Sequence, residues 1–427
     1  MIRRTVLEWG TLPYGMGDDA IPETAADRLM AVARASPLGG EGGGRILTHG
    51  RQGITARQIV GVLAADGAAL EILPKIDVPG ADGAIAHGQI RQRLVHLLAG
   101  ALDLNIATGA ITELSWQKDT LLEILIGLFA RKLADEVRKG MPRRYLVHED
   151  DLTALRGRLD VTRQFTTLIA RPDRLACRYD DLSSDTLLNQ IMKATVNRLI
   201  RVSASAENQR RLRELAFFYA DIRSEPINAV AWDNLILDRT NTRWRELVEL
   251  ARLLLGDRFQ TTSIGATRGT SLTFDMNRLF EAYVARQLRR ALAGTDLTVH
   301  PQGGRLFCLE EVETGTGRFM TKPDIVVRRR GEVELIIDTK WKRISRFVDD
   351  QKRGVSQSDI YQMIAYGQLY DCSDLLLLYP HHSELDVEPG ALSSHTIIGT
   401  SKRLRTATLS LIGDCRPSLR ALVGKDC

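Results

Sequence analysis

The stretch KPDIVVRRRGEVELIIDTK, residues 322–340, constrains the fold more than any other part of this sequence. Its two apolar runs, 325–328 and 333–339, are rich in Val and Ile and flank a break at Arg330-Gly331, which predicts two paired strands. Asp324 and Asp338 each lie seven positions from Gly331. Antiparallel pairing about that glycine therefore predicts that both aspartates meet at one end of the hairpin.

The second strand is predicted to be central, because Leu335, Ile336 and Ile337 are apolar on both faces. Side chains alternate along a strand, so Asp338 and Lys340 point to the same side. Two converging carboxylates make an oxygen site that suits Mg²⁺. Such an ion polarises a phosphoryl oxygen and activates water. Lys340 would hold or deprotonate that water, or neutralise charge in the transition state, and the residues leave these roles open.

Two neighbouring helices offer further candidates. Glu281 lies near the apolar positions Val284 and Leu288 of a predicted helix, so it either adds a third carboxylate to the site or is an ordinary exposed glutamate. Gln362 and Tyr366 are spaced i, i+4 on a later helix and share one face. They either contact the lysine, the water or a phosphate, or they form the polar edge of a core.

Composition excludes some classes of protein and leaves nucleic-acid binding open. The net charge is +5, but residues 321–353 hold ten Lys or Arg against six Asp or Glu. This excess fits either a solvated face or a DNA-binding face. The sequence has no apolar run long enough to span a membrane and no signal-peptide pattern. Its five cysteines form no C-x-x-C pair, which is typical of a reducing cytoplasm.

The pattern along the chain predicts an α+β multidomain protein. The first hundred residues favour β-structure, including a hairpin with a type I′ turn at Asp66-Gly67. Helical patterns follow at 88–101, 118–139, 185–202, 207–221 and 244–256. From residue 277 the sequence offers five strand candidates, at 297–300, 305–310, 325–328, 333–339 and 375–379, of which the first two are the least defined. Because of that uncertainty over the first strands, the predicted order is α-β-β-β-α-β. The predicted domains are 1–110, β-rich; 111–262, mainly helical; and 263–427.

This constellation resembles the PD-(D/E)xK nuclease superfamily, whose αβββαβ core carries a helix glutamate, the P-D aspartate, the D-x-K strand and, in some branches, a Q-x-x-x-Y helix. No position of that pattern is missing from the sequence. The resemblance implies these site residues: Glu281, Asp324, Asp338, Lys340, Gln362 and Tyr366, with Glu281, Asp324 and Asp338 as the metal ligands.

Segments along nearly the whole chain are similar, in collinear order, to the McrC family, the nuclease subunits of McrBC modification-dependent restriction systems. They are LEILPKID (70–77), LRGRLDV (155–161), YDDLSSDTLLNQIMK (179–193), LDRTNTRWRELVELARLLL (237–255), FDMNRLFEAYV (274–284) and DIYQMIAYGQLY (359–370).

The resemblance implies a Mg²⁺-dependent endonuclease that cuts methylated double-stranded DNA in the cytoplasm, as a defence against phage. It also implies a partner, a McrB-like AAA+ GTPase hexamer that reads methylcytosine and whose GTP hydrolysis this chain stimulates by docking its N-terminal domain, residues 1–110, into the central pore. GTP would be bound by the partner, because the sequence has no G-x-x-x-x-G-K-[ST]. The competing hypothesis is a non-catalytic coupling subunit that assembles and activates a partner NTPase ring.

Several other residues have both a functional and a structural interpretation. Arg156 and Arg158 are weak candidates for stimulating the partner's GTPase, and surface arginines near a turn explain each of them better. The arginines 328–330 fit either DNA phosphate contacts or an exposed hairpin. His381-His382 fits a loop at the sheet edge better than a metal site.

Overall fold

The structure is a computed structural model that describes residues 2–78, 80, 83–102, 104, 116–226, 231–256, 259–264, 267–344 and 355–424. Of residues 84, 259–264, 267 and 268 only the backbone is described. By internal contacts the chain divides into two compact units, Met1–Leu122 with Arg258–Cys427, and Glu123–Asp257. The predicted three-domain division stays a prediction, and its boundary at residues 110 and 111 lies outside the described residues.

The described residues form helices and strands in mixed order. The helices are α1 Glu23–Ala35, α2 Gly83–Leu102, α3 Leu121–Arg138, α4 Val161–Thr166, α5 Leu187–Val202, α6 Ala206–Phe218, α7 Arg245–Leu255, α8 Met276–Ala291, α9 Gln357–Leu369 and α10 Arg416–Val423. The first nine strands are β1 Ile2–Leu7, β2 Thr11–Pro13, β3 Leu47–His49, β4 Gly53–Ala56, β5 Ile59–Ala65, β6 Ala68–Leu73, β7 Arg144–Leu152, β8 Arg158–Leu159 and β9 Leu175–Ser183. The other strands are β10 Phe259–Ile264, β11 Thr267–Asp275, β12 Leu297–Pro301, β13 Phe307–Glu310, β14 Gly317–Met320, β15 Ile325–Arg329, β16 Glu332–Thr339, β17 Asp374–Pro380, β18 Ala391–Thr396 and β19 Arg403–Leu409.

The N-terminal part of the first unit contains a five-stranded sheet in the order β1-β6-β5-β11-β10. The predicted hairpin is present as antiparallel β5 and β6, and Ala65 pairs with Ala68. Its turn is not type I′, because Gly67 has a φ of 76° whereas Asp66 is not in the left-handed region that this turn requires of both residues. Strand β11 pairs with β5, so residues 267–275 complete a sheet that starts near the N-terminus.

The second unit is helical where the sequence predicts helices, but it also contains a sheet of β7, β9 and β8. The strands β7 and β9 were not predicted. Strand β7, RYLVHEDDL, is exposed or half-exposed along its whole length. A strand without a buried face lacks the alternation of apolar and polar residues that identifies a strand in a sequence. For this reason the sequence did not predict β7.

The C-terminal part of the first unit contains a six-stranded sheet in the order β12-β15-β16-β17-β19-β18. Strands β12, β15 and β16 are antiparallel neighbours, and β17 lies parallel to β16. The order α8, β12, β15, β16, α9, β17 agrees with the predicted α-β-β-β-α-β order, except that the predicted strand at 305–310 does not join this sheet. Its residues form β13, which makes a separate two-stranded sheet with β14.

The hairpin of β15 and β16 has the predicted turn. Arg330 and Gly331 have φ values of 52° and 97°, and such paired left-handed residues match the right-handed twist of two adjacent strands. The buried residues of β15 and β16 pack in the centre of the sheet, and Val326 and Ile336 belong to a cluster with Met363 of α9. Helix α9 begins at Ser356, whose hydroxyl accepts a hydrogen bond from the Asp359 N–H at 3.3 Å. Within the described residues, no helix is both long and apolar enough to cross a membrane.

Candidate active site

Asp324 and Asp338 face each other at one end of the hairpin, as the sequence predicted. The register pairs Ile325 with Ile337, which places the two aspartates one position beyond this pair. The Oδ2 atom of Asp324 accepts hydrogen bonds from the Thr339 N–H at 2.8 Å and from the Thr339 hydroxyl at 2.9 Å. Thr339 therefore fixes the orientation of the Asp324 carboxylate.

Asp338 is the more deeply buried of the two, at 1% exposed. Its Oδ2 forms an ion pair with the Lys340 Nζ at 2.8 Å. Burial and the neighbouring Asp324 raise the pKa of Asp338 to about 6. Burial also raises the pKa of Asp324. The site thus holds more negative charge than its own hydrogen bonds compensate, a condition that favours a bound cation.

Lys340 links the hairpin to helix α9. Its Nζ donates to the Gln362 Oε1 at 3.2 Å, and the Gln362 Nε2 donates to the Tyr366 hydroxyl at 2.7 Å. Burial alone would lower the pKa of Lys340, but the carboxylates, Asp338 first, raise it above its ordinary value. Lys340 is therefore positively charged at neutral pH in this arrangement, which favours a role in charge stabilisation over proton abstraction.

Glu281 faces the two aspartates from helix α8. Burial and then Asp324 raise the pKa of its carboxyl group. Its Oε1 accepts a hydrogen bond from the Gln302 Nε2 at 3.0 Å, and the Gln302 N–H donates to the Asp324 carbonyl at 2.7 Å. Gln302 was not singled out by the sequence, because it follows a strand as an isolated polar residue and only the fold brings it to the site.

Asp359 is a second residue that sequence reasoning did not assign to the site. It is 6% exposed, and its Oδ1 lies 3.6 Å from the Lys340 Nζ while its Oδ2 accepts from the Lys342 Nζ at 3.0 Å. Its position three residues after Ser356 is typical of a helix capping box, a pattern that gives no sign of a second role at the site. A carboxylate that is buried between two ammonium groups orients both of them.

The structure thus brings together the six predicted side chains, whose catalytic role stays a prediction. Among the residues that the structure describes, no three carboxylate, imidazole or thiol groups already lie within reach of one metal ion. Mg²⁺ needs only one or two protein carboxylates besides water and substrate phosphate. Asp324 and Asp338 meet that requirement.

The remaining sequence candidates lie elsewhere. Arg156 pairs with Asp181 at 3.2 Å, and its guanidinium lies 4.0 Å from the centre of the Tyr179 ring in the second unit. Asp181 is exposed and Tyr179 is half-buried, and a role of Arg156 in stimulating GTP hydrolysis stays a prediction. Arg328 donates to the Gly331 carbonyl at 2.8 Å, within its own hairpin turn.

Comparison with known proteins decides the family. The family model described as "McrBC 5-methylcytosine restriction system component" matches residues 54–380, which is more than half of the chain. The chain belongs to the McrBC family. This match covers all the site residues described above.

Solved structures agree with this McrBC assignment. A refined half-complex from a tetradecameric assembly of Thermococcus gammatolerans McrB AAA+ hexamers with bound McrC has 22% identity and a TM-score of 0.73, over 99% of each chain. The cryo-EM structure of the Thermococcus gammatolerans McrBC complex has 26% identity and a TM-score of 0.55, over 68% of this chain and 88% of that one. The comparison with curated proteins gave no match.

Proposed function

We propose that this chain is the Mg²⁺-dependent endonuclease subunit of a GTP-dependent restriction complex that cuts methylated double-stranded DNA. The observation that carries the proposal is the cluster of the buried Asp338, Asp324 and Lys340 at one end of the hairpin, where burial and Asp324 raise the pKa of the Asp338 carboxyl group. The order of helices and strands around it supports a PD-(D/E)xK core in residues 263–427. The family match supports the restriction role.

Each residue of the site has its own role in the proposed cleavage reaction. Asp324 and Asp338 hold the metal ion, and Glu281 adds a further negative charge from helix α8. When bound, Mg²⁺ polarises the scissile phosphate and lowers the pKa of a coordinated water. The charged Lys340 stabilises the negative charge that develops on the phosphate. Gln362 restrains Lys340 through the hydrogen bond at 3.2 Å.

The partner follows from the family and from the solved relatives. The Thermococcus gammatolerans McrC is bound to McrB AAA+ hexamers, and we extend this arrangement to the present chain. The partner hexamer binds and hydrolyses GTP, because this sequence has no P-loop. The complex acts on DNA in the cytoplasm, and this chain both stimulates GTP hydrolysis and makes the cut.

The test uses the chain reconstituted with the McrB-like protein of its own genome, a methylated plasmid, GTP and Mg²⁺. We expect Asp338→Ala to abolish cleavage and to leave stimulation of GTP hydrolysis unchanged, because the metal ligand is lost while the partner interface is kept. Asp296→Ala, an exposed aspartate of the same unit, is the matched control and should leave both activities intact. Cleavage that survives in Asp338→Ala refutes the site. Wild-type protein that stimulates GTP hydrolysis but never cuts is instead the non-catalytic coupling subunit.

A further inference from the structure

A groove, here called the strand-end groove, adjoins the candidate active site in the first unit. It consists of two neighbouring cavities of about 140 and 390 Å³ that share Lys75, Trp341, Arg343 and Pro380. Trp341 directly follows Lys340, so the groove begins one residue beyond the proposed catalytic lysine. Asp359 contacts both Lys340, at 3.6 Å, and the groove-lining Lys342, at 3.0 Å, so the groove lies beside the candidate active site.

The floor of the groove is made by chain segments that leave three parallel strands at the same edge. Strand β17 is parallel to both β16 and β19. The segments 341–343, 380–383 and 410–412 follow these three strands and line the cavities. The carboxyl edge of parallel strands is where α/β sheets bind their ligands.

The charge of the groove is positive. Its lining has four basic side chains, Lys75, Arg93, Lys342 and Arg343, against two acidic ones. Lys342 is paired with Asp359, and Arg343 is paired with the exposed Glu384 at 3.2 Å. Lys75 and Arg93 form no ion pair within the described part of the chain, and Glu8 attracts Lys75 and Asp77 attracts Arg93 only over a longer distance, so both cations are able to contact an anionic ligand.

The wall that carries Lys75 is fixed to the segment after Lys340. Glu8 is 4% exposed, and its Oε1 accepts hydrogen bonds from the Lys75 N–H at 2.8 Å and from the Trp341 Nε1 at 2.9 Å. The Trp341 N–H in turn donates to the Asn277 Oδ1 at 3.2 Å. This buried carboxylate holds the two sides of the groove at a set separation.

The lining at the far end of the groove is polar, and one of its nitrogen atoms has no hydrogen-bond partner among the described residues. Asp77 accepts a hydrogen bond from the Ser383 N–H at 2.8 Å, which ties the loop after β17 to the N-terminal part. His382 is 5% exposed; its Nε2 contacts the Ile344 carbonyl at 3.0 Å, and its Nδ1 has no hydrogen-bond partner among the described residues. The pair His381-His382, which the sequence assigned to a loop, therefore contributes to the groove.

We propose that the strand-end groove binds the sugar-phosphate backbone of the DNA strand that continues from the scissile bond. Lys75 and Arg93 contact its phosphates from the N-terminal part of the unit. This proposal rests on the proposed nuclease function. Under this proposal, residues outside the nuclease core also bind the substrate. Proximity to Lys340 and the excess of basic over acidic side chains in the lining favour a DNA strand as the occupant.

The test compares Lys75→Ala/Arg93→Ala with the wild-type chain in the reconstituted complex, using a methylated double-stranded DNA. The control is Arg51→Ala/Arg420→Ala, two exposed arginines of the same unit that do not line the groove. Cleavage kcat/KM is measured against KCl concentration, and stimulation of GTP hydrolysis is measured in the same samples. A thermal melt establishes that each variant is folded.

Each phosphate contact contributes about 0.9 to the slope of log affinity against log salt, so the groove variant should have a slope that is shallower by about two. If the variant and the wild type have equal kcat/KM at about 1 M salt, the loss of two such contacts lowers the kcat/KM of the variant about thirtyfold relative to the wild type at about 0.15 M salt. GTPase stimulation should be unchanged. An unchanged slope and rate would overturn the proposal. So would a loss of GTPase stimulation with the salt slope unchanged, because the groove would then bind the partner protein. If the wild-type complex makes no cut, the proposed function itself fails.

Discussion

Replacing Asp338 by asparagine should stabilise the metal-free protein while abolishing its proposed activity. The folded-state pKa of Asp338 is about 6, against an ordinary value of 3.8, because the side chain is buried and faces Asp324. Ionising it at neutral pH therefore costs about 3 kcal/mol, at about 1.4 kcal/mol per pH unit. Asparagine resembles the protonated acid and avoids this cost. Solvent does not reduce this free-energy cost by screening, because the Asp338 side chain is only 2% exposed.

The sign of the pH dependence follows from the raised pKa. Below pH 4 the carboxyl group of Asp338 is protonated in both the folded and the unfolded chain, so it contributes nothing. Between pH 4 and pH 6 the unfolded chain loses this proton first, and the free energy of unfolding falls as pH rises. The advantage of Asp338→Asn should therefore be about 2 kcal/mol at pH 5 and about 3 kcal/mol at pH 7.5.

The assay is denaturant unfolding in EDTA at these two pH values, followed by titration with Mg²⁺. The ion binds only the folded protein and should raise the stability of the wild type but not of Asp338→Asn. Asp296→Asn, which removes an exposed carboxylate, should show neither effect. If Asp338→Asn is less stable than the wild type in EDTA at pH 7.5, the argument that burial and Asp324 destabilise the charged carboxylate is wrong.

Two further predictions concern the residues that orient the site. Thr339→Val removes the hydroxyl that donates to Asp324 at 2.9 Å, and we expect a tenfold to hundredfold rise in the Mg²⁺ concentration needed for half-maximal cleavage, about the usual effect of losing a group that orients a metal ligand. Asp359→Asn removes the carboxylate that lies 3.6 Å from the Lys340 Nζ and also pairs with Lys342. Because Asp359, after Asp338, raises the pKa of Lys340, the loss of cleavage at alkaline pH should begin at a lower pH in this variant than in the wild type, while cleavage at pH 7 stays close to the wild-type rate.

The controls for these two variants are conservative changes nearby. Thr298→Val alters an exposed threonine of β12 and should leave the Mg²⁺ requirement unchanged. Ser358→Ala alters an exposed hydroxyl next to Asp359 and should leave the pH profile unchanged. An Mg²⁺ requirement of Thr339→Val equal to that of the wild type would mean that the backbone N–H alone orients Asp324. A pH profile of Asp359→Asn identical to that of the wild type would remove Asp359 from the site.

The sequence by itself determined the local geometry of the candidate site. The two apolar runs on either side of the break at Gly331 predict the hairpin, and the equal spacing of Asp324 and Asp338 predicts that they meet. The i, i+4 spacing of Gln362 and Tyr366 likewise predicts that they share one face, on which the structure contains a hydrogen bond between them. These inferences succeed because strand and helix periods are set by the backbone within a few residues.

Only the tertiary structure decided which distant residues complete the site. Glu8 contacts Trp341 across a separation of 333 residues, and Asp359 reaches Lys342 across 17. The tertiary structure also decided that the strand predicted at 305–310 pairs outside the main sheet, since an apolar run predicts a strand but not its partner. Burial and long-range contact depend on how the elements pack, and periodicity in a single sequence carries no record of that packing.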